Sequence, residues 1–174
     1  TAFAASGNVQ KEGNDILNGS VSATIYNAYS SIINNSVASS IFGGDTNTIE
    51  NGSNTVVILN GISNTANAAE YSTILTGNSN YITGMYSAIV AGESNRVSSD
   101  RSAILAGINN ISLLSPNSSI LGGESNNIYT SSYSSVINGL GNAITGSSYV
   151  TAINGNINKV SGSSNVNISG QNNR

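Results

Sequence analysis

Two residue types recur in this chain at fixed distances from an apolar residue, and this recurrence limits the folds that the sequence can adopt. In eight units, an apolar residue is followed by Gly three positions later and by Asn six positions later. We number each unit from this apolar residue, which is position 0. The units begin at Ile41, Ile58, Ile74, Ile89, Ile104, Ile120, Val136 and Ala152. They follow one another at steps of 15 to 17 residues, as expected for a repeat protein.

The glycine and asparagine positions indicate the kind of repeat. Position 3 holds Gly44, Gly61, Gly77, Gly92, Gly107, Gly123, Gly139 and Gly155. Position 6 holds Asn47, Asn64, Asn80, Asn95, Asn110, Asn126, Asn142 and Asn158. Glycine gives backbone freedom and asparagine tolerates left-handed dihedrals, so both mark turns rather than helix interiors. A unit of this length is also shorter than repeats built from helix pairs, which exceed about 30 residues.

Two short strands and two turns fill such a unit. We therefore predict an all-β fold, a parallel β-solenoid with coils of about 15–16 residues, in which the strands of successive coils stack about 4.8 Å apart. The asparagines of position 6 then lie one above another and pass amide hydrogen bonds along a ladder.

The same frame predicts the extent of the repeat domain. Two further units begin near Ile16 and Ile32, and the step from the second of these to the first full unit is only nine residues. This short step predicts a register break near residues 32–41. The repeat domain is expected over residues 16–174. Residues 1–15 do not fit the frame and are expected to form an irregular N-terminal cap or a junction.

Position 1, the next residue, is also apolar in all eight units, and this second column predicts self-association. Consecutive side chains of a strand point to opposite sides, and a thin coil has a single interior. Position 0 and the mostly apolar position 8 fill that interior, so position 1 forms an outer row larger than a soluble monomer usually exposes. We expect this row to pack against the same row of identical parallel chains with closed symmetry. The predicted chain–chain interface comprises Phe42, Leu59, Leu75, Val90, Leu105, Leu121, Ile137 and Ile153.

Composition argues against several classes of function. The net charge is −3 and the five cations are scattered, so no basic patch indicates a nucleic-acid partner. The chain has no cysteine and no histidine, which excludes disulfides, thiol chemistry and the commonest metal ligand. No apolar run approaches the roughly 20 residues of a membrane helix, so this segment is not expected to insert into a membrane. We predict no catalytic residue, no cofactor and no metal.

Four stretches carry a resemblance to a known family. They read YSTILTGNSNYI from Tyr71, YSAIVAGESNRV from Tyr86, SSILGGESNNI from Ser118 and YSSVINGLGNAI from Tyr133. This pattern resembles the YadA-type heads of trimeric autotransporter adhesins and similar segments of viral and phage tail fibres. The resemblance implies a left-handed parallel β-roll, a homotrimer around one axis, and an extracellular location on a bacterial surface or a virion tail fibre. It also implies attachment to a receptor on a host-cell, prey or matrix surface, with glycans among the candidates.

Two groups of outward residues are candidate contact sites. The outward positions of the second strand hold the possible receptor contacts Tyr81, Arg96, Tyr129 and Lys159. Five tyrosines stand three residues before a unit start: Tyr29, Tyr71, Tyr86, Tyr133 and Tyr149. They are expected either to close a corner or pad the chain interface, or to form a ladder on which sugars stack. The irregular segment Ile111–Leu114 is predicted to bulge outward as a contact loop.

The sequence thus predicts a non-enzymatic fibre segment, either an adhesive head or a spacer that carries a separate tip domain. Two remote alternatives are a glycan hydrolase and an ice-binding protein. Glu93 and Glu124 share position 4 two coils apart, which places them roughly 9–10 Å from each other. This is near the carboxylate separation of about 6.5–9.5 Å in inverting glycosidases. Ice binding requires a flat threonine array, whereas positions 7 and 9 mix Thr with charged and aromatic residues.

Overall fold

The computed structural model describes residues 15–16, 19–162, 164 and 166–173, with only the backbone at residues 15, 16 and 153. All the secondary structure of these residues is β, and every strand pairing is parallel. The predicted all-β parallel solenoid is therefore confirmed. Of the predicted N-terminal cap over residues 1–15, all but Asp15 lies outside the described residues.

The strands, numbered in chain order, form two ten-stranded sheets that run the length of the solenoid. Sheet A contains the position-0 strands: β2 (Thr24–Ile25), β5 (Ser40–Ile41), β8 (Val57–Ile58), β10 (Thr73–Ile74), β12 (Ala88–Ile89), β14 (Ala103–Ile104), β16 (Ser119–Ile120), β18 (Ser135–Leu140), β20 (Thr151–Asn156) and β22 (Asn167–Gln171). Sheet B contains the position-8 strands: β1 (Asp15–Ile16), β4 (Ile32–Ile33), β7 (Thr48–Glu50), β9 (Thr65–Asn67), β11 (Tyr81–Ile82), β13 (Arg96–Ser98), β15 (Ile111–Leu113), β17 (Asn127–Tyr129), β19 (Ala143–Thr145) and β21 (Lys159–Ser161). A third sheet has two strands, β3 (Ala28–Tyr29) and β6 (Gly44–Asp45).

The interior between sheets A and B is a narrow column of β-branched side chains, as predicted. Position 0 and position 8 both point inward, and their residues are almost wholly buried. The large ones are Ile25, Ile33, Ile41, Ile49, Ile58, Ile74, Ile82, Ile89, Val97, Ile104, Ile120, Ile128, Val136, Ile144 and Val160. Stacking identical side chains at the strand spacing fills this interior along its length, and burial of each one contributes about 1.5–3 kcal/mol.

The first coils are continuous with the rest, so the predicted register break near residues 32–41 is wrong. Ile25 pairs with Ile41 in sheet A, and Ile33 pairs with Ile49 in sheet B. A complete coil therefore begins at Ile25, and Ile32 belongs to the second strand of that coil. The sequence hides this coil because it carries Ala28 where later coils carry glycine, and serine in place of the asparagine.

Each regular coil has three corners rather than the two turns expected, because three residues per coil, besides the glycine at position 3, adopt left-handed dihedrals. In the coil that begins at Ile120 these residues are Ser125, Thr130 and Tyr133. We call the corners the Asn corner (positions 5 and 6), the variable corner (around positions 10 and 11) and the Tyr corner (positions −3 and −2, counted back from the next position 0). At each corner, the left-handed residue is followed by a residue that points inward, most often Asn or Ser.

The inward polar residues of the Asn corner form the predicted ladder. The Oδ1 atom of each asparagine accepts from the backbone N–H and the side-chain amide of the next asparagine, for example Asn80 onto Asn64 at 3.1 Å for both bonds. The second N–H of each amide reaches the position-3 carbonyl of the following coil, as from Asn80 to Gly92 at 3.0 Å. Serine ladders run along the other two corners, for example from Ser131 N–H to Ser115 Oγ at 3.0 Å. Buried polar side chains are thereby paired from coil to coil.

The eight full units differ in length only at the variable corner, whereas the last pairing of sheet A shifts register between Ile153 and Asn156. The 16-residue coils place one left-handed residue there, such as Ala68 or Thr130. The coils that begin at Ile74 and Ile89 have 15 residues and no left-handed residue at this corner. The coil that begins at Ile41 has 17 residues and two of them, Asn51 and Gly52. Insertions and deletions at this corner therefore leave both sheets and the asparagine ladder in register.

Candidate functional site

The apolar residues of position 1 form a row along the outer face of sheet A, where the sequence placed them. Phe42, Leu59, Leu105 and Leu121 are exposed, with Leu59 at 43% of its surface. Leu75, Val90 and Ile137 are half-buried. The side chain of Ile153, the eighth predicted interface residue, lies outside the described residues.

Sequence reasoning missed residues that lengthen and widen this row. Tyr26 occupies position 1 of the first coil and is exposed. Three exposed residues at position 4, Ile62, Ile108 and Leu140, widen the row where the intervening position 3 is glycine. We call the combined surface the apolar row. From Tyr26 to the last described side chain it crosses eight coils, or about 34 Å at the strand spacing.

The structure places the four predicted receptor contacts on the outer face of sheet B and brings two of them, Tyr81 and Arg96, into contact. Tyr81 and Arg96 are partners in adjacent strands, and the guanidinium carbon lies 5.3 Å from the centre of the tyrosine ring. Such a geometry is a cation–π contact. Tyr129 lies two coils beyond Arg96, at the third residue of its strand. Lys159 lies two coils beyond Tyr129, next to the strand Ala143–Thr145.

The segment Ile111–Leu114 connects these residues. Its first three residues remain in register with the strands on both sides, so the predicted bulge is wrong. The segment instead inverts the usual pattern: Ser112 points into the interior, whereas Ile111 and Leu113 point outward. Leu114 follows at the variable corner and is 60% exposed. We call the surface of Tyr81, Arg96, Ile111, Leu113, Leu114 and Tyr129 the outer patch.

Four of the five predicted tyrosines form two stacked pairs along the Tyr corner. The ring centres of Tyr71 and Tyr86 are 5.0 Å apart and the planes differ by 8°. Those of Tyr133 and Tyr149 are 5.1 Å apart and differ by 4°. Tyr29 does not belong to this row, because its strand partner is Asp45 at position 4. The prediction placed Tyr29 in this row because it took Ile32, rather than Ile25, as position 0 of the first coil.

Glu93 and Glu124 occupy the same row two coils apart, as expected. Each pairs with Ile108, which lies between them, and both side chains are exposed. Two depressions along the described part of the solenoid lie elsewhere, one of them lined by Ser98, Ser99, Asp100, Leu114 and Pro116. The pair is therefore a solvated part of the outer surface.

The described residues contain no cluster of three or more Asp, Glu, His or Cys side chains that could hold a metal ion. Nor does the described part of the chain contain a helix long and apolar enough to span a membrane. Compared with known proteins, the chain matches no family model and no curated sequence.

Proposed function

We propose that this chain is a segment of a homotrimeric fibre, displayed outside a bacterial cell or on a virion, that attaches to a host-cell, prey or matrix surface. The observation that carries the proposal is the apolar row. It is about 34 Å long and repeats a large side chain at each coil. Covering the exposed part of each side chain contributes about 1 kcal/mol, so a parallel neighbour with the same row is stabilised along the whole contact.

Cyclic symmetry explains why identical parallel chains would associate through one row. Around a rotation axis every chain places the same surface against its neighbours, and the assembly closes without leaving a row exposed. The number three and a left-handed coil are what the resemblance to YadA-type heads implies. The side-chain ladders support a role as a stiff rod. The asparagine ladder bonds each full coil to the next, and the serine ladders add bonds along the other two corners.

The outer patch supports attachment rather than mere spacing. Most outward positions of sheet B carry small or polar residues, but here one coil turns Ile111 and Leu113 outward and Ser112 inward. A local departure from the inside–outside pattern lowers stability, and such departures concentrate at functional sites. Arginine beside tyrosine and aliphatic side chains is also the composition of protein–protein contact centres.

A purely structural spacer is the second candidate, and the regularity of the solenoid favours it. The asparagine ladder and both sheets continue through every full coil, as a load-carrying rod requires. The two functions differ in one measurable way. A spacer binds nothing on arrays of matrix proteins and glycans, whereas an attachment head binds a ligand and loses affinity when Arg96 or Tyr129 is replaced by alanine.

The mass of the protein in solution tests the assembly. Light scattering coupled to size-exclusion chromatography should give three times the chain mass of 17.6 kDa. The double variant Leu105→Asp/Leu121→Asp should dissociate, because it places three copies of each carboxylate at the proposed contact. Leu114→Asp is the matched control: it puts the same charge on an exposed leucine of the outer patch and should leave the mass unchanged. A wild-type protein that is a stable, soluble monomer contradicts the proposal.

A further inference from the structure

We infer that the Tyr corner contains a saccharide-binding slot between Tyr86 and Tyr133. Along this row, the two stacked tyrosine pairs are separated by two coils that carry Arg101 and Asn117 instead. Three coil steps separate the two inner tyrosines, or about 14 Å. The inference deepens the proposed attachment role and rests on it, because it names the class of ligand that the fibre would take.

The two inner rings turn their free faces toward the slot. The separation of 5.0 Å between the ring centres of Tyr71 and Tyr86 nearly equals the strand spacing, so this stack follows the solenoid axis. One face of Tyr86 is covered by Tyr71 and the other is directed toward Arg101. By the same geometry, one face of Tyr133 is covered by Tyr149 and the other is directed toward Asn117. A ligand that contacts both rings lies about 3.5–4.0 Å from each of them. Along the solenoid axis, this leaves about 7 Å for the thickness of the ligand itself.

The floor of the slot is polar. Arg101 Nε donates to Asn117 Oδ1 at 3.1 Å, which links the two side chains that stand between the tyrosine pairs. Asp100 precedes Arg101, and its Oδ1 accepts at 3.0 Å from the backbone N–H of Met85, the residue before Tyr86. Asp100 and Pro116 also line the open depression of about 340 Å³ beside it.

This combination of groups fits a saccharide. Aromatic faces carry partial negative charge and contact the C–H faces of a sugar ring, while a guanidinium, an amide and a carboxylate offer both donors and acceptors to its hydroxyl groups. One cation and one anion lie at the floor, so the slot has no net charge. A nucleic acid, which also stacks on aromatic rings, would require a positively charged groove for its phosphates.

The backbone at these tyrosines argues that the rings are not there for stability. Tyr86 and Tyr133 have φ values of 53° and 54°, a left-handed conformation that is unusual for a bulky side chain. Their rings are nevertheless 57% and 54% exposed. Coils elsewhere place Ala38 or Thr55 at the same position with a similar dihedral. Strained residues that remain exposed are a recurring feature of ligand sites.

Substitution of single tyrosines by asparagine tests the slot, since asparagine tolerates the left-handed dihedral and leaves the corner intact. The wild-type protein is first applied to an array of neutral and acidic glycans, and the affinity of the strongest hit is then titrated. Tyr86→Asn and Tyr133→Asn should each weaken binding about tenfold, the loss of one stacking contact. Tyr71→Asn and Tyr149→Asn are the matched controls, with the same residue, row and dihedral, and should change the affinity less than about threefold.

Mass and thermal unfolding are recorded for all four variants. The inference is wrong if no glycan binds, if all four variants lose affinity equally, or if they change the mass, which would place the Tyr corner in a chain–chain contact. If the protein is a trimer that attaches to cells or matrix through another surface, the saccharide slot is wrong and the proposed function stands. If it is a monomer that binds sugar through Tyr86 and Tyr133, the proposed trimer is wrong and the saccharide slot stands.

Discussion

The side-chain amide of Asn110 donates to Asn95 Oδ1 at 3.1 Å and to the carbonyl oxygen of Gly123 at 3.0 Å, so one side chain links three coils. Its own Oδ1 accepts from the backbone N–H and the amide of Asn126 at 3.0 and 3.1 Å. Both donors and both acceptor sites of this buried amide are therefore used. Only a carboxamide satisfies all four bonds at once, which explains why position 6 is asparagine in every full unit.

Asn110→Asp should be strongly destabilising. The change replaces an amide that donates twice with a carboxylate that cannot donate, facing the oxygens of Asn95 and Gly123. Leaving buried acceptors unpaired beside a new charge costs about 3 kcal/mol or more of unfolding free energy. Denaturant unfolding measures this loss. Asn109→Asp, at the exposed preceding residue, is the control and should change stability by less than about 0.5 kcal/mol.

The same variant has a defined pH dependence. Burial without a cation raises the pKa of the introduced carboxyl in the folded state above its unfolded value. The folded state then binds more protons than the unfolded state between these two values, so the stability of Asn110→Asp falls as pH rises through that interval and recovers on acidification. Equal losses at pH 4 and pH 8 relative to wild type would show that charge burial is not the cause.

Deleting one residue should be tolerated at the variable corner and not at the Asn corner. Gly146 and Gly141 provide a matched pair, since both are left-handed, with φ of 58° and 63°. Without Gly146 the coil has the 15-residue length already found in the coils that begin at Ile74 and Ile89, and the expected cost is about 1 kcal/mol. Without Gly141 the following residue, Asn142, leaves the ladder, and the expected cost exceeds about 3 kcal/mol. Thermal and denaturant unfolding of the two deletion variants decide the point.

From Gly44 to Gly139, the position-3 glycines should be irreplaceable for a steric reason. A Cβ added at Gly107 would lie 2.1 Å from the carbonyl oxygen of Gly123, at a φ of 106°. Gly107→Ala should therefore distort two adjacent coils and lower stability by more than about 3 kcal/mol. Gly146→Ala is the control, because its Cβ would meet nothing within 4 Å and Leu114 adopts a similar dihedral at the equivalent corner. Its expected cost is about 1 kcal/mol, and equal losses in the two variants would refute the steric explanation.

The repeating columns made the regular part of this fold predictable. Gly and Asn at fixed spacing identify the corners, and two adjacent apolar positions, one inside and one outside, predict both the interior and the apolar row. The first coil was misplaced because Ala28 and Ser31 replace these markers, while Ile32 and Ile33 are both apolar and leave the inward residue undetermined. The third corner and the tyrosine slot depend on backbone dihedrals and on neighbours one coil away, which a single unit of sequence does not specify.

Ser112 is the one polar residue at position 8 among the described full coils, and replacing it should stabilise the protein. Its side chain is fully buried between Val97 and Ile128, with Ser99 Oγ at 3.4 Å. Ser112→Val adds two buried methyl groups, at about 0.8 kcal/mol each, and loses one long hydrogen bond, so the expected net gain is about 1 kcal/mol. Ser98→Val, at the outward position beside it, is the control and should change stability by less than about 0.5 kcal/mol. A loss of stability in Ser112→Val would mean that the interior is narrower at this coil than at its neighbours, so that serine is required there for its size.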